Sequence, residues 1–207
     1  MRGPGAMHLF VNTTSPFVRI VRIAIAEKGL RDRIGTEIVD PWADPADFLS
    51  ANPAGRVPTL ALENGTALAE SHFILRYLDE IAPEPAIYPA KGLAEALATA
   101  APAYGAMDAA TAIIIGRKSA EDFDTGMVGQ KRWRSMAEGL KRLDANPPCD
   151  FATRVDIGNI VAVTALDYIL FRYTDRDWLA ELPTLAEWRE RQKGRASIDE
   201  TMPYIAG

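Results

Sequence analysis

Three short stretches set a hydroxyl, a carboxylate or a proline where backbone geometry can do chemistry. The first is "NTTSPFVRIVRIAIAEKG", Asn12 to Gly29, in which Ser15 and Pro16 open an apolar-periodic run. Serine at the N-cap with proline next is an ordinary way to begin a helix. The same end also attracts anions, since its N–H groups are unpaired and the macrodipole is positive there. A serine hydroxyl can accept from the backbone while donating its own proton outward, so a thiolate is an anion it could serve. The second is "NPAGRVPTL", Asn52 to Leu60, where Pro58 opens a strand and removes a ladder donor. Two readings stand: an edge strand with trans-proline, or a cis Val57–Pro58 bond, which lies only about 0.5–1 kcal/mol above trans. The cis form would turn the Val57 N–H and C=O towards an extended peptide. The third is Glu70-Ser71 at a strand-to-helix junction. It reads either as a capping serine beside a solvated glutamate or as a receptor for a zwitterion, with a carboxylate for an ammonium and a hydroxyl at a helix start for a carboxylate.

The elements that must position these residues follow from periodicity. Residues 7–12 read as a short strand, and Phe17, Ile20, Val21, Ala24 and Ile25 then recur at helical spacing until Gly29, where glycine favours the position after a C-cap. A strand over 35–40 follows, then a loop with a brief helical turn. Val57–Leu62 and Thr66–Glu70 flank an Asn-Gly turn and predict a hairpin. "SHFILRYLDEI" predicts a helix with Ser71 at its N-cap and Phe73, Ile74, Tyr77, Leu78 and Ile81 on one face. The order β-α-β-β-β-α implies a parallel crossover joined to an antiparallel pair. "APEPAIYPAKG" holds three prolines in eleven residues and reads as a linker.

Everything after residue 90 reads as helical. The segments are a long alanine-rich helix with Pro102 as an expected kink, an amphipathic helix over "EDFDTGMVGQKRWRSMAEGLKRLDA", an apolar helix over "TRVDIGNIVAVTALDYILFRY" expected at the centre of a bundle, and "TLAEWRERQKGR" with a terminal turn. The expected architecture is a βαβ-ββα domain with a mixed four-stranded sheet over residues 7–82, a linker over 83–91 and an all-α domain over 92–207.

Bulk properties narrow the function classes. The chain has 207 residues and net charge −5, and no basic face is built: residues 1–83 carry 8 basic and 10 acidic side chains, leaving 15 and 18 of the totals of 23 and 28. A nucleic-acid partner therefore has no electrostatic support. The longest apolar run noted, "IGNIVAVTALDYILF", is interrupted by Asn159 and Asp167, so no membrane helix is expected. The start "MRGPGAMHLF" lacks a secretory apolar segment, and Met7 offers a second start preceded by an arm, Met1 to Ala6. One cysteine, Cys149, and two histidines, His8 and His72, leave little for a metal site or disulfide framework and fit a reducing cytoplasm. Cys149 reads as a loop residue without a role.

"TSPFVRIVR", "NPAGRVPTL" and "ESHFILRYLDE", in that order and followed by a helical half containing "TRVDIGNIVAVTALDY", resemble the cytosolic glutathione S-transferase superfamily, over essentially all of residues 7–207. The similarity is greatest to bacterial branches with a Thr-Ser-Pro-Phe turn, here Thr14 to Phe17. The resemblance implies a thioredoxin-like first domain and an all-α second one. It implies a transferase with glutathione as co-substrate, or else a non-catalytic glutathione-binding module or a glutathione-dependent isomerase or peroxidase. In each, Ser15 would meet the sulfur, Val57 ahead of a cis-Pro58 would pair with the cysteinyl part, and Glu70 and Ser71 would hold the γ-glutamyl end. Phe17 and Arg56 fall within the same binding motifs. Thr14 is an alternative to Ser15. Thr153 as N-cap with Asp156 reaching back would form the family's capping box. Arg19 and Arg22 read either as solvated helix charges or as added positive potential. A pocket for a small apolar electrophile is expected between the domains, where Tyr104, Met107, Asp108 and Thr111 make a helical stripe that reads either as core or as pocket wall; Trp133 is a weaker candidate. A homodimer is implied.

Overall fold

The computed structural model describes residues 7–206, so the arm Met1 to Ala6 lies outside the described residues. Two compact units form: one runs up to Tyr88 and resumes at Ala196, and the other is Pro89–Arg195.

The first unit is built on β1 (Met7–Val11), α1 (Pro16–Glu27), β2 (Ile34–Ile38), α2 (Ala46–Ala51), β3 (Thr59–Ala61), β4 (Ala67–Ala69) and α3 (Ser71–Ile81). The strand order is β2-β1-β3-β4, parallel between β1 and β2 and antiparallel elsewhere, the mixed sheet expected from the sequence. β1 is central, with Leu9 and Phe10 fully buried. α1 buries Val18, Ile20, Val21, Ile23 and Ala24, and Gly29 follows its C-cap at φ +64°, the left-handed conformation that glycine adopts without a Cβ penalty.

Two segments far along the chain are lashed to α1. The Lys28 ammonium, its side chain fully buried, lies 2.7 Å from each of Ala82 O, Pro85 O and an Asp79 carboxylate oxygen. Asp79 in turn accepts from the Ile87 and Tyr88 N–H groups, each at 2.9 Å. The proline-rich stretch read as a linker is thus fixed to the first unit as far as Tyr88. Residues 196–207, assigned to the helical domain from sequence, also group with the first unit. There α8 (Ala196–Asp199) and the residues after it pack on α1. Arg19 is not a solvated helix charge: it is 3% exposed and donates to Ile198 O at 3.3 Å, Thr201 Oγ1 at 3.4 Å and Met202 Sδ at 3.2 Å.

The second unit comprises α4 (Leu93–Ser119), α5 (Met127–Ala145), α6 (Ile157–Arg172) and α7 (Pro183–Arg191). α6 is buried from Ile157 through Ile169 and packs on α4. Small residues set how closely α4 and α5 approach, since a Cβ on Gly139 would meet Pro102 O at 2.6 Å and Ala106 Cβ at 2.9 Å. Asp167, the charge that interrupts the apolar α6, is held by Arg189 of α7 at 2.7 and 3.0 Å. Three expectations need correction. Residues 121–126 form turns rather than the start of α5, because Gly126 and the Asp122 carbonyl close a tight turn there. The α6 capping box is Asp156 with Asn159, not Thr153 with Asp156: Asp156 Oδ1 accepts from the Gly158 and Asn159 N–H groups, and Asn159 Oδ1 accepts from Asp156 N–H. Finally, α4 is long and apolar enough to match a membrane span by length and composition, with a mean hydropathy of 1.2 that the sequence reading passed over. Of the eighteen-residue stretch that gives this value, 39% is buried.

Replacing Lys28 by Met should leave the Asp79 carboxylate, 11% exposed, without its cation and destabilise the chain by about 3–5 kcal/mol. For a protein of this size the thermal midpoint then falls by roughly 2–4 °C per kcal/mol. A calorimetric melt matching wild type would show that the contact contributes nothing net.

Candidate functional site

The sheet register brings the three sequence signals to one edge. Thr59 lies opposite Phe10 on one side and Ala69 on the other, so these residues form a single row across β1, β3 and β4. At about 4.8 Å between strands the row spans roughly 10 Å. From it the chain leaves β1 towards Ser15, enters β3 from Val57 and Pro58, and leaves β4 into Glu70 and Ser71.

The turn Asn12–Ser15 distinguishes its hydroxyls. Asn12 Oδ1 accepts from Thr14 N–H at 3.1 Å and from the Thr14 hydroxyl at 2.8 Å. An amide oxygen only accepts, so Thr14 Oγ1 must donate and its proton is committed. Ser15, the N-cap of α1, accepts from Val18 N–H at 3.3 Å, and its proton meets no acceptor among the described residues. Phe17 follows at the second position of α1, half-buried. Thr13 is tied to the C-terminal segment: its hydroxyl donates to Tyr204 O at 2.8 Å and its carbonyl accepts from Tyr204 N–H at 3.4 Å.

The Val57–Pro58 bond is cis, which resolves the two readings left open by the sequence. Val57 precedes the first rung of the β3 ladder and packs against Phe10, Val39 and Phe48. The loop before it is knit by Asn52, whose part the sequence reading missed. Its side-chain amide donates to Arg56 O at 2.9 Å and Thr59 Oγ1 at 3.0 Å, and its Oδ1 accepts from Ala54 N–H at 3.1 Å. A polar residue buried to 7% exposure in a loop needs such satisfaction, and an asparagine before Pro-Ala-Gly was its only trace in the sequence.

At the third piece the N-cap is Glu70, not Ser71. Glu70 has φ +68° and ψ 126° and makes no side-chain cap bond, while Ser71 is the first helical residue and is 2% exposed. A non-glycine residue held at positive φ costs about 1–3 kcal/mol and persists where its surroundings determine it. The geometry leaves the Glu70 carboxylate to pair with the Arg56 guanidinium at 3.0 Å, both side chains about half exposed or more. Beside it, His72 Nδ1 meets the Tyr88 hydroxyl at 2.9 Å, and Arg76 lies over the Tyr88 ring at 5.3 Å. Burial lowers the His72 pKa, opposed by the Glu70 charge.

In the second unit the stripe separates. Met107 is fully buried core, and Thr111 donates back to Met107 O at 2.9 Å. Asp108 is exposed and paired to Arg132 at 2.8 Å, while Tyr104 is half-buried. Trp133 packs edge-on against Tyr173. Burial pushes the Cys149 thiol up, the direction opposite to a reactive thiolate.

The family model for the glutathione S-transferase N-terminal domain matches residues 14–81. The chain is similar to a crystal structure of a glutathione transferase family member from Pseudomonas fluorescens Pf-5 with bound glutathione, at 30% identity over 97% of this chain and 100% of that one, TM-score 0.85. A glutathione S-transferase from Methylobacterium radiotolerans in complex with glutathione sulfonate is 28% identical over 98% and 97% of the two chains, TM-score 0.86. A stringent starvation protein A homologue from Pasteurella multocida is 40% identical over 83 residues, which is 40% of this chain and 38% of that protein's length.

A lowered His72 pKa means that the unfolded chain takes up a proton first as pH falls. Stability is therefore complete above the ordinary value of 6.5 and declines as pH drops below it and through the folded value. Denaturation midpoints across pH 5–8 should show this decline, and His72→Gln should remove its share. An NMR titration placing the His72 midpoint above 6.5 would reverse the sign.

Proposed function

The chain belongs to the glutathione S-transferase family, and on that premise we propose that it binds glutathione at the row edge of the first unit and transfers it to a small electrophile. The observation that carries this reading is the common row of Phe10, Thr59 and Ala69, from which the three ligand-facing pieces emerge side by side. The glutathione and glutathione sulfonate held by the two similar crystal structures support it.

The chemistry divides by residue. Glu70, with Ser71 at the start of α3, receives the amino and carboxylate groups of the γ-glutamyl end. The ammonium displaces Arg56 from Glu70 and frees that guanidinium for a glutathione carboxylate. Val57 offers its backbone N–H and C=O to the cysteinyl part. The sulfur meets the Ser15 hydroxyl, whose proton is available, rather than that of Thr14, whose proton is held by Asn12. A free thiol titrates near about 8.5, so a few per cent is ionised at pH 7. One hydrogen bond to a charged acceptor contributes about 1.5–3 kcal/mol, enough to lower the sulfur pKa by roughly 1–2 units. The S–H proton leaves to solvent, Ser15 keeps its own, and the thiolate forms the S–C bond as the electrophile's leaving group or π-electron pair departs. Serine cannot form a mixed disulfide, which disfavours thiol–disulfide exchange. The chemistry needs a reducing compartment such as cytoplasm, and the chain acts as a homodimer; sedimentation as a single 22.6 kDa species at micromolar concentration would refute the dimer.

A second reading, a glutathione-binding or protein-interaction module without turnover, is favoured by the 40% identity to a protein named for starvation rather than for a reaction. Both bind glutathione, and only the enzyme turns over members of a panel of electrophiles. Ser15→Ala should cut turnover by about 10- to 100-fold, the equivalent of one charge-assisted hydrogen bond, with glutathione affinity nearly unchanged. Thr14→Val should leave turnover close to wild type. Unchanged turnover in Ser15→Ala would remove the hydroxyl from the mechanism.

A further inference from the structure

Away from the row edge, the first unit carries a cavity of about 240 Å³ lined by α1, the edge strand β2 and the C-terminal segment. Its walls include Ile25 and Ile34, 7% and 4% exposed, with the half-buried Ala26 of α1. Arg22 and Arg31 both line it, with Glu200 as the carboxylate among the lining residues. Glu200 is already ion-paired to Arg31. Arg22 donates to the Glu200 backbone carbonyl at 3.3 Å and has no carboxylate partner among the described residues. A guanidinium has five N–H donors, of which this contact engages one nitrogen. Burial lowers the Arg22 pKa, the Tyr204 phenol opposes the shift and the Arg31 charge adds to it.

We propose that this cavity is a second ligand site, separate from the row edge, that takes a small monoanion with a short apolar body. The anionic head lies between Arg22 and Arg31, and the body rests on Ile25, Ala26 and Ile34. The sign follows from Arg22, a cation in excess of the Arg31–Glu200 pair, and its planar fork suits a carboxylate or sulfonate held bidentately. The size follows from the volume, since a cavity of about 150 Å³ already accepts benzene. Ile25, Ala26 and Ile34 favour an occupant with an apolar body over a bare inorganic ion. Because Glu200 and Thr201 belong to the segment that also holds Arg19 and Thr13, an occupant here stabilises the docked C-terminal segment.

The test is calorimetric titration of the full chain with benzoate, in saturating glutathione so that the row edge is blocked, beside benzyl alcohol as the uncharged match. Benzoate should bind one per chain and raise the melting temperature, while benzyl alcohol gives no heat. Arg22→Gln should weaken benzoate at least about 10-fold, as loss of a charge-assisted bond does. Ala26→Leu, which fills the cavity without touching a charge, should abolish binding, and it decides the matter if Arg22→Gln does not fold. Benzoate binding equally to wild type and Ala26→Leu, equal binding of benzyl alcohol, or no binding to wild type would each overturn the proposal.

Discussion

A buried positive charge on α1 sets the terms for the first unit. Arg19 is 3% exposed among the buried residues of α1, and an ion removed from water costs several kcal/mol unless its donors are met. The acceptors come from Ile198, Thr201 and Met202, almost the whole length of the chain away. The chain must therefore leave the sheet, build a helical unit and return before α1 is complete. The returning segment continues past Arg19 to Tyr204 and there grips Thr13 through both its backbone and its side chain. The N-terminal end of α1 is thus held from the sheet side by β1 and from the other side by the chain's last residues. At the far end of the same helix Lys28 plays the matching part for the stretch from Ala82 to Tyr88.

Rigidity at one end of a helix matters only if something at that end must be aimed. The sheet register supplies the second fixed reference: Phe10, Thr59 and Ala69 share a row, and each neighbours a turn that presents backbone or side chain beyond the sheet. Asn52 and Thr59 close the loop before β3 by bonding Arg56 O from two directions. The strained backbone of Glu70 is held by the helix it begins, since its carbonyl accepts from the Phe73 and Ile74 N–H groups at 3.1 Å. Positive φ here leaves the carboxylate uncommitted to capping, which is what lets it face a cation.

The legible parts of this architecture were those with local causes. The spacing of Ile20, Val21, Ala24 and Ile25, the Asn-Gly hairpin and the apolar run of α6 each depend on neighbours within a few residues, and all appear where periodicity placed them, though Phe17 on the same stripe is only half-buried. The misplaced caps also have a local cause, in that two overlapping patterns competed. Thr153-x-x-Asp156 and Asp156-x-x-Asn159 are both plausible boxes, and the second wins because Asn159 reaches back to Asp156 N–H at 3.1 Å. What was illegible depends on distance. Nothing near Arg19 in sequence signals its burial, because its partners lie about 180 positions on, and nothing in "AESHF" marks Glu70 as left-handed, since the usual mark is glycine. Likewise, residues 196–207 carry no periodicity that says which unit they join.

On the proposed chemistry, two adjacent hydroxyls are told apart by a third residue. Thr14 and Ser15 are both able to donate, and sequence offers no reason to choose. Asn12 makes the choice physical, because its amide oxygen takes the Thr14 proton and the Thr14 N–H together and so closes the turn. Ser15 is left to cap α1 as an acceptor, which orients its oxygen without consuming its proton. Its lone pairs face the positive end of the helix, so a hydrogen bond donated outward from it points into the region where anions are favoured. One side-chain oxygen therefore serves folding and, on the proposed chemistry, catalysis, and the two uses are compatible because they engage opposite ends of the same O–H group.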